Sequence, residues 1–395
     1  MERHVCPLNH DFGNLKNLIF CDVTLREGEQ TPGVSFTFDE KIELIRRLDA
    51  FGVHQIQIAH PKFDERILEF CARVCAMPTK CKKEIMSHGG WDKCIDAIDR
   101  LVECNPDIVH SYFPVSPYIL DNWNDNSPEW IRQRIQLVTS HIKHYDKIAS
   151  ISLLDSTRAD PELVVSFAKA AAEAGADRIR IPDTVGVATP DSMYELVSKV
   201  VEAVEPYNTI VGIHTHNDFG LALANTLAGI RAGAKLADAS VNGLGDRAGN
   251  VSLVELAAAL EVLYGASTGL QINQTMELSK YGEKISGVKI PTNKPIIGEN
   301  VFTDQTELHF LAQSHQKYAL QGVDPEIFGA HRSFLYGKLT SDRIIALTAE
   351  KAGVQIDPSF YPAIRDALYE AAESCKGRTI HESDFWQIVN TVIKK

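Results

Sequence analysis

The sequence predicts an α/β protein: a (β/α)8 TIM barrel followed by a linker and a small, mainly helical C-terminal region. Three observations carry this expectation. Short β-rich segments alternate eight times with helical patterns between about residue 17 and residue 265, the number of units that closes a barrel. The strand segments are apolar in runs or near-runs, as strands covered on both faces are. Polar residues cluster just after the strands, where a barrel carries its chemistry. A doubly wound open sheet shares the alternation, but the clustering all along the chain favours the barrel.

The expected strands are Leu18–Leu25, Gln55–Ala59, Lys83–Ser87, Asp107–Tyr112, Ile148–Leu154, Asp177–Ile181, Thr209–Thr215 and Ala237–Asn242. Between them, Phe38–Phe51 places Ile42, Leu44, Ile45 and Leu48 along one stripe and stops at Gly52, a residue suited to a left-handed helix end. Leu163–Ala174 stops at Gly175 in the same way. Pro190 opens a helix running through Val197, where its missing N–H costs little, with Thr189 as the expected N-cap. Leu221–Ala232 and Leu253–Leu263 follow the last two strands. The domain division is a catalytic barrel over 1–265, a linker over 266–300 with one helix near Gln274–Ile285, and a helical subdomain over 301–395. That last part carries Glu307–Lys317, Ser341–Ala352, Pro362–Ser374 and Ser383–Ile393.

With 44% hydrophobic and 23% charged residues the chain has the composition of a globular enzyme, not of a disordered segment. Forty basic against 52 acidic residues give a net charge of −12. Such a balance offers no overall electrostatic footprint for nucleic acid or an anionic membrane. No run of 18 apolar residues is present, and the N-terminus lacks the apolar core of a signal peptide. The eight cysteines form no CxxC pair and read as reduced core thiols, Cys71 and Cys75 included. The expectation is a cytoplasmic enzyme.

The strand ends are informative. Asp22-Val-Thr-Leu-Arg-Glu-Gly-Glu-Gln30 follows the first strand; alone, it also fits a surface ion pair. His214-Thr-His216-Asn-Asp218 ends the seventh. Residues i and i+2 of a strand point to one side, so the two imidazoles project together, as a divalent ion requires. Asn242-Gly-Leu-Gly-Asp-Arg-Ala-Gly-Asn250 follows the eighth, and its glycines permit close backbone approach. Asp183 and Thr184 follow the sixth. Strands 1, 7 and 8 are neighbours in a closed barrel, so a carboxylate and two imidazoles meet at one mouth. Such a His₂-carboxylate set suits an ion that chelates an oxygen ligand, polarises a carbonyl and stabilises a developing alkoxide.

On these residues the chain resembles the isopropylmalate synthase/homocitrate synthase family, acyl-CoA Claisen-condensing members of a metal-dependent barrel superfamily. The shared motifs are Thr24-Leu-Arg-Glu-Gly-Glu-Gln-Thr-Pro-Gly33, Pro182-Asp-Thr-Val-Gly186, His214 to Asn225 and Gly243-Leu-Gly-Asp-Arg-Ala-Gly-Asn250. The likeness continues through Pro295–Phe302 and Val323–Glu326. It implies a divalent metal (Mn2+, Mg2+ or Zn2+) on Glu27, His214 and His216, with Asn250 as a further ligand, and acetyl-CoA as co-substrate. It implies that Arg26 holds the developing oxyanion of a 2-oxo acid, that Thr184 contacts the acid's carboxylate and that Gln30 lines the pocket. It also implies a homodimer whose swapped C-terminal region brings His309 into a partner's site for acid–base work. With the chain ending at Lys395, no further regulatory domain is expected.

The departures are Gln57 where relatives carry Glu, His60 where they carry small or hydroxyl residues, His88 at the end of the third strand, and Leu154-Asp155-Ser-Thr-Arg158 where they carry an extra carboxylate. Gln57, His60, His88 and Arg158 are therefore expected around an acceptor pocket with two fewer carboxylates. That favours a dianionic acceptor, 2-oxoglutarate, oxaloacetate or phosphonopyruvate, over 2-oxoisovalerate or pyruvate. In the C-terminal part, Asp304-Gln-Thr-Glu-Leu-His309 departs from the usual run, and Leu320 stands at the family's tyrosine position, with Tyr318 two residues earlier. A lyase or aldolase reaction on the same metal site, and a non-catalytic barrel subunit, are the alternatives.

Overall fold

The computed structural model describes residues 5–9, 11–12, 15, 17–61, 64–89, 93–120, 127–374 and 380–394. Eight parallel strands close a barrel: β1 Ile19–Asp22, β2 Gln55–Ala59, β3 Lys82–His88, β4 Ile108–Pro114, β5 Ile148–Leu154, β6 Arg178–Asp183, β7 Ile210–Thr215 and β8 Leu236–Ala239. Each pairs with its sequence neighbour, and β8 returns to β1 with Ile19 opposite Leu236 and Asp22 opposite Ala239. The barrel is as expected; the bounds differ where polar residues intervene. β1 ends at Asp22 rather than Leu25, because the Asp22 carboxylate takes the Thr24 N–H at 2.9 Å and turns the chain into a short helix, Thr24–Glu27. β8 ends at Ala239 rather than Asn242, since Asn242 adopts a left-handed conformation in the following turn.

The helices start where their caps are. Phe38–Phe51 opens on a reciprocal Thr37–Glu40 capping box and ends at Gly52, φ 95°. Pro161–Glu173 begins two residues before the expected Leu163, capped by Asp160. Thr189 caps Pro190–Val204, which runs past Val197. The last barrel helix is α-helical over Leu253–Ala258 and then widens into a π-turn, Ala259–Leu263.

Strand period places the side chains. In β6, Ile179 and Ile181 are fully buried outside the strand ring, each contributing about 1.5–3 kcal/mol of apolar burial. Arg178 and Arg180 alternate with them and face the barrel interior, bonded to Gln55 and Glu84 respectively. The interior is thus polar at mid-height, not purely aliphatic.

The chain divides into two compact units, one over His10–Lys289 and the other over Ile290–Lys395 together with the segment ending at Asn9. In the second unit the helices Glu307–His315, Asp342–Lys351, Tyr361–Ser374 and Glu382–Ile393 lie near their expected positions. Its core joins Ile344, Ile345, Ile364, Leu368, Phe385 and Val389. A short parallel pair, Thr303–Asp304 with Ser333–Phe334, was not expected. Among the described residues the seven cysteines form no disulfide, and Cys375 lies outside the described residues. Burial pushes the Cys75 thiol up to about 12. Among the described residues, no helix is long and apolar enough to cross a membrane.

Candidate active site

The C-terminal strand ends surround a cavity of about 240 Å³ lined by residues of the barrel. On the β1, β7 and β8 side stand Glu27, His214 and His216. All three are buried, and their donor atoms lie within 4.8 Å of one another. Among the described residues this is the one group of its kind. His214 Nε2 lies 3.2 Å from His216 Nε2 and 3.9 Å from Glu27 Oε2, and His216 Nε2 lies 3.8 Å from Glu27 Oε1. Burial pulls His216 down to about 2, helped by His214 and Arg247 nearby, so its imidazole is neutral and a lone pair is available. His214 Nδ1 lies 3.1 Å from Asp238 Oδ2. A carboxylate there takes the Nδ1 proton and leaves Nε2 as the donor nitrogen.

Asn250 completes the ring. Its Nδ2 lies 3.2 Å from His214 Nε2, and its buried Oδ1 has no hydrogen-bond partner. Turning the amide over would present that oxygen to the imidazoles. Two imidazoles, one carboxylate and an orphaned amide oxygen fit a hard-to-borderline divalent ion.

Arg26 sits beside this group, paired with Glu27. Its Nε donates to Gln57 Oε1 at 2.5 Å, and Nη1 donates to Gln30 Oε1 at 3.2 Å. Burial pulls Arg26 down to about 10, against the opposing pull of Asp238 and Glu84, so it is still cationic at neutral pH. Thr184 lines the cavity, and its hydroxyl accepts the Asp155 N–H at 2.9 Å. That bond leaves its own O–H to donate.

The wall built by β2 to β5 consists of His60, Met86, His110, Tyr112, Ser152 and Leu154. It carries no carboxylate. Burial pushes Tyr112 up to about 12, so the phenol stays a donor. Burial and Arg180 hold His110 down at about 4, so it stays neutral.

A family model described as HMGL-like matches residues 17–281. The chain belongs to the HMGL-like family. It is 35% identical to the homocitrate synthase of Methanocaldococcus jannaschii, over 99% of this chain and 94% of that protein. It is 32% identical to the 2-isopropylmalate synthase of Sulfolobus acidocaldarius, over 97% of each. Among solved structures it is similar to the HMG-CoA lyase of Brucella melitensis, TM-score 0.58 at 20% identity, covering 69% of this chain and 99% of that one. It is also similar to hydroxymethylglutaryl-CoA lyase from Pseudomonas aeruginosa, TM-score 0.58 at 21% identity, covering 69% and 94%. At that identity the likeness carries the barrel fold alone.

In this HMGL-like barrel Arg26, Glu27, Gln30, His60, Thr184, His214 and His216 converge on the cavity, with Asn250 against His214. Three other expected residues do not line it. Gln57 is fully buried beneath it, holding Arg26 from below. His88 lies behind Tyr112, ring centroids 4.5 Å apart, and lines a smaller adjoining space with Lys93 and Cys94. Arg158 turns outward onto the Tyr118 ring and pairs with the buried Asp155. His309 belongs to the other unit, where its Nδ1 lies 2.6 Å from Asp304 Oδ1 and Gln313 holds the second carboxylate oxygen.

The expected loss of a carboxylate at Gln57 is offset. Its register partner on β3 is Glu84, fully buried, whose Oε1 accepts from Gln57 Nε2. A second carboxylate at 57 would face Glu84 across one hydrogen bond, so the amide is the compatible choice. Leu154, in contrast, does line the cavity. Sequence reading missed Glu84, His110, Arg180 and Asp238, whose signal was a polar or charged residue at an inward-facing strand position, and Arg247, which lies in the loop after β8.

Proposed function

We propose that this chain condenses acetyl-CoA with a 2-oxo acid and hydrolyses the thioester, releasing CoA and a 2-hydroxy-2-carboxymethyl acid. One observation carries the reading. Arg26 stands against the Glu27–His214–His216 group inside a small cavity, in a chain that aligns along nearly its whole length with a homocitrate synthase and a 2-isopropylmalate synthase.

Glu27, His214, His216 and Asn250 would hold a divalent ion. Bound there, the ion supplies Lewis-acid polarisation of the acceptor's keto oxygen. Arg26 donates to that oxygen as it becomes an alkoxide. Thr184 donates its O–H to the adjacent carboxylate. A base takes a proton from the acetyl methyl, that carbon bonds to C2 of the acceptor as the C=O π pair moves to oxygen, the alkoxide takes up a proton, and water then cleaves the C–S bond and releases CoA as its thiol. His309 of a partner subunit in a homodimer is the proposed acid–base group. Asp304 takes its Nδ1–H, so Nε2 is the exchanging nitrogen.

The acceptor proposed is dianionic: 2-oxoglutarate, oxaloacetate or phosphonopyruvate. The support is the β2–β5 wall, where His60, Tyr112 and Ser152 offer donors and no carboxylate opposes a second anionic group. Isopropylmalate or citramalate synthesis, from 2-oxoisovalerate or pyruvate, is the competing outcome. The test is thiol release from acetyl-CoA against a panel of 2-oxo acids with Mn2+, Mg2+ or Zn2+. Fastest turnover with a dianionic acceptor is expected; fastest turnover with 2-oxoisovalerate would overturn the acceptor, and cleavage of a hydroxyacyl-CoA without condensation would overturn the reaction.

A further inference from the structure

Beneath the cavity, a chain of hydrogen bonds links Arg26 to His214. Arg26 Nε donates to Gln57 Oε1 at 2.5 Å, and Gln57 Nε2 donates to Glu84 Oε1 at 2.5 Å. Arg180 Nη2 donates to Glu84 Oε2 at 2.9 Å, and Arg180 Nε donates to Asp238 Oδ1 at 3.1 Å. Asp238 Oδ2 then meets His214 Nδ1 at 3.1 Å. The four intermediate residues come from β2, β3, β6 and β8, and none is more than 2% exposed.

Arg180 is the junction. A guanidinium has five N–H groups in a fixed plane, and each has a partner here. Besides Glu84 and Asp238, Nη1 reaches Ser150 Oγ at 2.8 Å and His110 Nδ1 at 2.7 Å, and Nη2 reaches Cys21 Sγ at 3.5 Å. The neighbouring strand β7 makes room at Arg180's register partner, since a Cβ at Gly212 would lie 3.2 Å from Arg180 Cγ.

We propose that Arg180 is a positioning residue that couples the orientation of Arg26 to that of His214. This rests on the function proposed above for those two groups. The two carboxylates that Arg180 bridges also carry the links onward, Glu84 to Gln57 and Asp238 to His214, so the guanidinium sets the place of both supports as well as neutralising them. With one planar group bridging both carboxylates, a shift of the guanidinium moves the support of the oxyanion donor and of the imidazole together.

The test uses the full-length protein with Arg180→Lys, Gln57→Met and Asp238→Asn. Three quantities are read: the unfolding transition, Mn2+ affinity of metal-stripped protein, and kcat against KM for the 2-oxo acid. A lysine keeps the charge but cannot make the two-sided fork. Arg180→Lys is expected to unfold cooperatively, to weaken Mn2+ binding about tenfold or more, as loss of outer support around a ligand does, and to lower kcat. Asp238→Asn should act mainly on Mn2+ affinity and Gln57→Met mainly on kcat. A folded Arg180→Lys protein with wild-type Mn2+ affinity and kcat overturns the proposal.

Should Arg180→Lys fail to fold, the double variant Gln57→Met/Asp238→Asn decides. Losses in kcat/KM that are not additive support coupling through the chain, and additive losses overturn it. Wild-type protein that binds Mn2+ but releases no thiol with any acceptor overturns the proposed reaction, whereas the Mn2+ titration of Arg180→Lys still judges the coupling.

Discussion

Asp22 is an unusual carboxylate. It is fully buried, and its two oxygens accept from the Thr24 N–H and hydroxyl. Burial raises it from 3.8 to about 7, outweighing those hydrogen bonds. Its folded value thus exceeds the unfolded one, so the stability it contributes is full below the unfolded value and lost as pH rises through the folded one. Wild-type melting temperature should therefore fall relative to that of Asp22→Asn between about pH 4 and pH 7. A difference between the two proteins that stays constant over that range would exclude this account.

Arg180 shows the opposite case: removing it outright leaves Glu84 and Asp238 buried without the cation that bridges them, a loss of about 3–5 kcal/mol from a stability of order 5–15 kcal/mol. At this scale His214 and His216 were legible because their spacing matches a strand's period. Glu84, Arg180 and Asp238 were not. Each is a charge at an inward-facing strand position, and they satisfy one another only after the barrel has closed.

The loop after β8 shows how an element makes a site. Residues 243–250 return Asn250 to pair with His216 across an isolated bridge, while Asn250 N–H bonds Gly243 O at 3.0 Å. Thr31 ties the loop to β1 through Gly245, donating to its carbonyl at 3.0 Å and accepting its N–H at 2.8 Å. Gly245 has φ 158°, and a Cβ there would lie 1.9 Å from Asn250 Oδ1. Gly245→Ala must therefore displace Asn250. It should lower kcat/KM at least about tenfold, the usual effect of losing support around a ligand, while the protein stays folded. Full activity with unchanged Mn2+ affinity would remove Asn250 from the site.

Elements of this kind were readable in outline only. The strands β2 and β5 and the helix Phe38–Phe51 lie within their expected bounds because apolar period and caps agree there. β1 and β8 came out shorter because the Asp22 side-chain bond to the Thr24 N–H and the left-handed Asn242 turn the backbone locally, and neither leaves a trace in hydrophobic pattern.

At the scale of the whole molecule, the proposed acid–base group comes from outside the barrel that it serves. The cavity's lining residues all belong to the barrel. His309 lies in the unit beyond Ile290, already paired with Asp304 and half-exposed. If it serves a partner's barrel, two inactive proteins should rescue each other. Arg26→Ala lacks the oxyanion donor but supplies His309; His309→Ala keeps a complete barrel but supplies no histidine. In a mixed dimer one barrel then has both groups and the other has neither. Random re-association of equal amounts makes half the dimers mixed, each with one working site, so activity should return to about a quarter of wild type. The mixture has to be dissociated and reassembled together, with the two proteins assembled separately and then combined as the control. Recovery only after joint assembly places His309 in the partner's site. No recovery, with mixed dimers verified by differently tagged chains, means that each chain supplies its own acid–base group.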